Sequence, residues 1–137
     1  MKSLKIIFIF IMIHSFNMAA QDLSDFQWKS RIVILYENDT NFTDVKNALE
    51  IINNNASKLT ERDIVVFVYK DHLFYNTNRT ITGIKKSTIL PKSYNGYILI
   101  GKDGGTKSKA PYPFNLEKLC DLIDSMPMRK SEMRSNK

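Results

Sequence analysis

Cysteine is almost missing from this chain: Cys120 is the only one in 137 residues. An internal disulfide is therefore impossible. Dithiol exchange through a Cys-x-x-Cys pair is excluded for the isolated chain, because no resolving thiol is present. Histidine is nearly as scarce, with His14 near the start and His72 within Lys70-Asp71-His72. A lone imidazole would need carboxylate help, such as Asp71, to hold a metal, and the spacing is unremarkable. A loop-surface histidine is the plainer reading, and no motif calls for a metal or another cofactor. Long apolar runs are missing too, since the longest, Ile6 to Ile13, is too short to span a bilayer. No internal repeat or composition break marks a second domain, so the length fits one small domain with a modest core.

What stands at the N-terminus resembles a secretory signal. Lys2 and Lys5 give a positive start, Ile6 to Ile13 an apolar centre, and Met18-Ala19-Ala20 a small-residue end. An N-terminal strand or a membrane anchor is the competing reading. No cysteine follows the apolar run to carry a lipid. We expect residues 1–20 to be a signal peptide and residues 21–137 a single exported domain, with no stable membrane insertion after cleavage. The Asn-, Lys- and Ile-rich composition without disulfides suggests a bacterial periplasmic or extracellular protein. Three sequons, at Asn41, Asn55 and Asn78, matter only in a host that glycosylates.

The formal net charge of +6 is spread over Lys85-Lys86-Lys92, Lys102-Lys107-Lys109 and the tail Arg129-Lys130-Arg134-Lys137. A nucleic-acid site needs a focused basic patch with exposed aromatics or a reading helix. The helical segments are not notably basic, so nucleic acid is not expected as a partner.

The run Tyr97 to Lys107 reads as strand, reversal and second strand, with Asp103-Gly104-Gly105 supplying residues that tolerate positive φ. Arg31 to Tyr36 is a nearly continuous apolar run, which suits a central strand covered on both faces. Val45, Ala48, Leu49 and Ile52 mark a helix that Asn41 can cap and Asp44 reinforce, and that Asn53-Asn54-Asn55 should fray. Ile64 to Tyr69 is a second buried strand, giving a βαβ unit with a right-handed crossover. Residues 71–96 are interrupted by polar residues, Pro91 and Gly96, and support at most a short strand and a short helix. Leu116, Leu119, Cys120 and Ile123 mark a last helix, capped by Asn115 and ended by Met126-Pro127. Part of the charged tail beyond it can fold back. Trp28, beside the first strand, is expected to anchor the core, with an exposed stacking role as the alternative. The order is that of a small α/β sandwich.

Three pieces carry a resemblance: Phe26-Gln27-Trp28-Lys29-Ser30-Arg31 leading into a strand, Ile100-Gly101-Lys102-Asp103-Gly104-Gly105-Thr106-Lys107, and Leu122-Ile123-Asp124-Ser125-Met126-Pro127-Met128-Arg129-Lys130 followed by Glu132-Met133-Arg134. Together they resemble the DUF4174 family, also described as the DUDES-type domain of some extracellular matrix proteins. The resemblance spans roughly residues 23–135. It implies a thioredoxin-like, peroxiredoxin-related fold with a central mixed sheet flanked by helices, and no established molecular function.

In thioredoxin-like folds the redox motif follows the first core strand. Here that place carries Glu37-Asn38-Asp39-Thr40-Asn41, with no cysteine. Cys120 lies on an apolar helical stripe and reads as a packing thiol. Asp103 reads as a turn residue. Asp124, at a helix end where a carboxylate opposes the helix dipole, is expected to pair with Arg129 or Lys130 across Pro127. A polar ligand patch of Lys102, Asp103, Asp124 and Arg129 is the functional alternative, and Glu37 and Asp39 form a second candidate loop.

Two readings follow. One is a non-catalytic binding or structural module with a protein or small-molecule partner. The other is a redox-associated or peroxiredoxin-like enzyme with an atypical site, which fold alone cannot promote. An inhibitor or antitoxin role has no support in the residues. An exposed sheet edge or an aromatic cluster would allow a homodimer.

Overall fold

A computed structural model describes residues 22–85 and 90–136. The expected signal peptide, with His14, and Lys86 and Ile89 of the irregular stretch lie outside the described residues. Among the described residues, five strands form one sheet in the order β3-β2-β1-β4-β5. All six residues of β1 (Arg31–Tyr36) are buried, as a continuous apolar run in a central strand requires. β2 (Ile64–Lys70) runs parallel to it, with Ile32 beside Val65 and Ile34 beside Phe67. On the other side β4 (Gly96–Ile100) pairs with β1 antiparallel and β5 (Thr106–Pro111) with β4. The expected α/β sandwich with a central mixed sheet is therefore what forms.

The hairpin between β4 and β5 follows its sequence signals. Gly104 has φ 86°, and the Asp103 side chain accepts the Gly105 N–H at 3.0 Å. At Gly96, a Cβ would collide with the Ala110 carbonyl, so only glycine permits this approach of the two strands.

α1 (Phe42–Asn54) buries Val45, Ala48, Leu49 and Ile52. Two expectations about its ends fail. Asn41 makes no side-chain cap. Its Nδ2 instead donates to the Tyr36 carbonyl and to Asn95 Oδ1, both at 3.1 Å, because the buried end of β1 leaves that carbonyl without a ladder partner. The Asn53-Asn54-Asn55 run does not fray into loop. Asn55 Nδ2 donates to the Ile51 carbonyl at 2.8 Å, and α2 (Ala56–Glu61) restarts at once, carrying Leu59 into the core.

Residues 71–96 hold β3 (Leu73–Tyr75), joined to β2 by a two-residue turn. Asp71 and His72 have φ 50° and 65°, as the tightest hairpins require. Tyr75 then bridges to Ile81, and Ile84 and Leu90 are buried without forming the expected helix among the described residues.

α3 (Leu116–Asp124) begins as expected, with Asn115 Oδ1 accepting the Lys118 N–H at 3.0 Å. Met126-Pro127 is expected to end this helix, read as the last one. α3 does stop there, but Pro127 opens α4 (Pro127–Ser135), where a missing N–H in the first turn costs nothing.

The sheet separates two apolar layers. Val33, Leu35, Val66, Val68, Tyr97 and Leu99 face α1, α2 and α3. Ile32, Ile34, Phe67, Tyr69, Ile98 and Ile100 face Leu23, Phe26, Phe74, Ile84, Leu90 and Tyr94. Trp28 is not a core anchor, being 65% exposed. It follows a short 3-10 turn (Leu23–Phe26), takes φ 67° and donates its N–H to the Lys102 carbonyl at 2.6 Å. Leu23 and Phe26 of that turn, not Trp28, join the apolar layer.

Ile98, with no exposed surface, should therefore cost about 2–5 kcal/mol of unfolding free energy when changed to Ala. Trp28→Ala should stay within about 0.5 kcal/mol. Urea unfolding of both variants checks the pair, and a larger loss at Trp28 would contradict its placement.

Candidate functional site

Two regions hold the residues singled out from sequence, at opposite ends of the sheet. The first is the exit from β1, where α/β sheets commonly keep their chemistry. Glu37 donates its N–H to the Tyr69 carbonyl at 2.9 Å, which buries its side chain beneath two cations. Arg79 Nη1 reaches Glu37 Oε1 at 2.6 Å and Lys70 Nζ lies 3.6 Å from Oε2. The Arg79 guanidinium also sits 5.1 Å above the Phe42 ring. The loop then closes on itself. Asn38 Oδ1 accepts from the Thr40 and Asn41 N–H groups, and Asn41 Oδ1 accepts from the Asn38 N–H. Asp39 remains exposed on the rim. Tyr36 and Tyr112 flank the loop. Burial, with Tyr69 adding to it, pushes the Tyr36 phenol up to about 12. Burial raises Tyr112 further, helped by Asp44 and Glu37. Both phenols stay neutral and act as donors, Tyr112 to the Tyr36 carbonyl and Tyr36 to the Pro91 carbonyl, each at 2.8 Å.

The second region is the opposite end, where β1 and β2 begin. Here Arg31, Arg62, Lys102 and Arg129 interleave with Glu61, Asp63, Asp124 and Glu132. Arg31 and Arg129 are each 1% exposed. The Arg31 fork meets Glu132 with both terminal nitrogens, at 3.2 and 3.3 Å, and Nη1 also donates to the Arg62 carbonyl at 2.9 Å. Lys102 Nζ bridges Glu132 at 2.6 Å and Asp63 at 2.7 Å. Arg129 donates to Asp124 at 3.0 Å and to the Glu61 carboxylate at 3.0 Å. Arg62 takes the other Asp124 oxygen at 2.8 Å.

The titration of these groups follows from the pairing. Hydrogen bonds from Arg62, then Arg129, hold Asp124 below the usual carboxylate range against the opposing effect of burial. Burial pushes Glu132 up, but Lys102 and Arg31 outweigh it and the carboxyl ends low. Burial likewise opposes the Lys102 charge, yet its two carboxylates raise it.

The structure thus brings Lys102, Asp124 and Arg129 together through Glu132 and leaves Asp103 outside. Asp103 pairs with Lys107 at 2.6 Å in the hairpin turn. A cavity of about 270 Å³ lies between that turn and the start of α4, with Arg31, Lys102 and Lys107 on one side and Met126 to Met128 on the other. Each of those cations already faces a carboxylate. Sequence reasoning found the Asp124–Arg129 pair but missed Arg31, Arg62 and Glu132. The readable signal was Arg129-x-x-Glu132, a spacing that places both on one helix face.

The remaining candidates are set apart. Cys120, on α3, is buried in the apolar layer between the sheet and the helices, and burial pushes its thiol up. His72 occupies the β2–β3 turn, with Nδ1 3.4 Å from the Tyr69 hydroxyl. Among the described residues, no three His, Cys, Asp or Glu side chains are grouped to hold a metal ion, and no helix is long and apolar enough to cross a membrane.

Comparison with known proteins agrees with this architecture. Residues 22–132 match the family described as Domain of unknown function (DUF4174). Among solved structures, the chain is similar to a reduced 2-Cys peroxiredoxin of Plasmodium vivax, at 12% identity and TM-score 0.54, over 80% of this chain and 84% of that one. It also matches the mitochondrial 2-Cys peroxiredoxin from Plasmodium falciparum, at 14% identity and TM-score 0.49, over 80% and 82% of the two chains. The first likeness shows the fold, a peroxiredoxin- and thioredoxin-like sandwich, here without a redox-active cysteine pair.

Replacing Glu132 by Gln should cost about 3–5 kcal/mol, because Arg31 is left buried without its carboxylate. The acid limb follows the same pairs. Asp124 and Glu132 titrate lower in the folded chain than unfolded, so their contribution is complete above the ordinary carboxyl range near pH ~4. It drains away as pH falls through their lowered values. Thermal unfolding of the native protein should show this acid loss, and Glu132→Gln should flatten it; an unchanged profile would contradict the pairing.

Proposed function

We propose that this chain, which belongs to the DUF4174 family, is an exported, non-catalytic module that acts by binding a partner on a thioredoxin-like scaffold. The observation that carries the reading is the composition of the β1 exit. A thiol-dependent enzyme of this fold would need an accessible, activated sulfur there. Glu37, Asn38 and Asn41 instead bond to one another and to their neighbours, and the single thiol is on the buried face of α3 with its pKa raised. The export part rests on Lys2 and Lys5, the Ile6 to Ile13 run and Met18-Ala19-Ala20. It points to a periplasmic or extracellular setting, in keeping with a bacterial composition.

No observation favours Glu37 or Asp39 as an acid–base pair. Glu37 is buried against Arg79 and Lys70, while Asp39 faces solvent. The ion network at the other end supports a structural reading of Lys102, Asp124 and Arg129 rather than a ligand patch, since their charges are matched by Asp63, Glu132, Arg62 and Glu61.

The purified protein should consume tert-butyl hydroperoxide with dithiothreitol, and reduce insulin disulfides, no faster than buffer. Cys120→Ser should leave both traces unchanged. Turnover that disappears in Cys120→Ser would overturn the non-catalytic reading. The export reading is checked separately, by the N-terminal mass of the protein recovered outside the cytoplasm, which should begin near Gln21.

A further inference from the structure

The two edges of the sheet are treated differently. β5, at one edge, carries Lys107, Lys109 and Pro111, residues that discourage addition of another strand. At the other edge β3 is only three residues long and pairs with Val68, Tyr69 and Lys70 of β2. The preceding stretch of β2, Ile64 to Phe67, has no strand beside it on that side among the described residues. The direction of its backbone groups follows from the β1 ladder. Asp63 and Tyr69 turn their carbonyls to β1, accepting from the Arg31 and Glu37 N–H groups. In a strand the alternate residues point the other way, so Ile64 and Val66 aim N–H and C=O outward. None of these four groups has a partner among the described residues.

They open onto a groove of about 430 Å³, between the α1–α2 junction and the loop at Asn76 to Asn78. Its floor is Ile64 and Val66, with Ile52 and Leu59 on the helical side. Among the described residues no charged one lines it, in a chain where 25% of residues are charged. A second groove, past Asn53 and Thr77 toward Phe42 and Arg79, continues the same surface.

We propose that this edge of β2 is a docking site for an extended, uncharged segment of a partner protein, added to the sheet as a strand in line with β3. Donor and acceptor pairs spaced two residues apart are matched by another extended backbone and by little else. The bare edge spans four residues, roughly 13 Å of strand. Electrostatics selects the sequence. A charged side chain in the groove would lose water without gaining an opposite charge, so the occupant presents small apolar or hydroxyl side chains toward Ile52 and Leu59. A second copy of this chain fits poorly. Self-pairing of the same edge brings Glu61-Arg62-Asp63 into the join and is blocked beyond Phe67 by the other copy's β3.

This inference rests on the reading of the chain as a binding module and names the class of partner. The test is selection of random heptapeptides displayed on phage against the immobilised purified protein. Enriched peptides should be uncharged and rich in Val, Thr and Ile at alternate positions. Bound to the labelled protein, they should shift the Ile64 and Val66 amide signals and slow their exchange with deuterium. Val66→Pro removes an outward N–H and should weaken binding at least tenfold. Because Val66 also packs in the core, the exposed Asn53→Glu, which puts a charge in the groove wall, supplies the second variant and should do the same. Failure to enrich any peptide overturns the proposal, as does enrichment of charged peptides. Peptides that shift signals elsewhere sink the β2 edge while leaving a binding module standing. A dimer in sedimentation that Asn53→Glu or Val66→Pro converts to monomer assigns the edge to a second copy and also overturns it.

Discussion

A guanidinium sealed into the head of the central strand constrains everything around it. Arg31 opens β1 and is 1% exposed. A buried cation without a partner would cost several kcal/mol, so the fold must deliver a carboxylate to that point. Glu132 does so from α4, near the end of the chain. The same carboxylate holds Lys102 at the exit of β4, and Lys102 in turn holds Asp63 before β2. One acidic residue therefore ties the last helix to three strands. Arg129, the only buried residue of α4, adds its own bonds to Asp124 and Glu61. Replacing such a network with apolar side chains can leave stability unchanged or raise it, whereas removing one member is costly. We read the ions as fixing where α4 sits rather than as a reserve of stability.

The other end of β1 shows the same economy of charge with a different consequence for chemistry. Glu37 stands where this fold can present a reactive group, but it is neutralised by Arg79 and Lys70 and enclosed by the Asn38–Asn41 loop. The neighbouring phenols are raised by burial and serve as hydrogen-bond donors. Apart from Asp39, which faces solvent, the side chains of this loop are held by one another and by their neighbours.

How much of this was legible depended on whether the signal was local. The apolar run of β1, the helical stripes of α1 and α3, and the Asp103-Gly104-Gly105 reversal are properties of neighbouring residues, and each was readable. The Asp71-His72 turn was missed because the usual marker of a tight hairpin is glycine, and here two residues with side chains take the positive φ. The α1–α2 restart was missed because three asparagines read as an ending. Only the Asn55 side chain, bonded back to Ile51, shows that the chain pivots there. Trp28 was misplaced because size and hydrophobicity argue for burial, while its backbone turns the ring outward. The ion network joins residues as far apart as Arg31 and Glu132, and no local pattern announces a pairing over that distance.

The closed end and the open edge have a common cause in one short loop. After Tyr75 the chain does not continue along β2. It reverses through Asn76 and Thr80, with the Asn76 N–H on the Thr80 carbonyl and the Arg79 N–H on the Asn76 carbonyl. Arg79, at φ 68°, is thereby swung over Phe42 onto Glu37. A longer β3 would have paired with Val66 and Ile64 and completed the sheet. It would also have carried residue 79 away from Glu37, leaving a buried carboxylate with Lys70 alone at 3.6 Å. Breaking the Arg79–Glu37 pair, at about 3–5 kcal/mol, is of the same size as four main-chain hydrogen bonds on a partly solvated edge, each worth about 1 kcal/mol net, so the ion pair offsets the bonds that the edge forgoes. The bare stretch of β2 is thus not a defect of the sheet but the counterpart of a satisfied charge, and the hydrogen-bonding capacity it leaves is what a strand from another protein can take up.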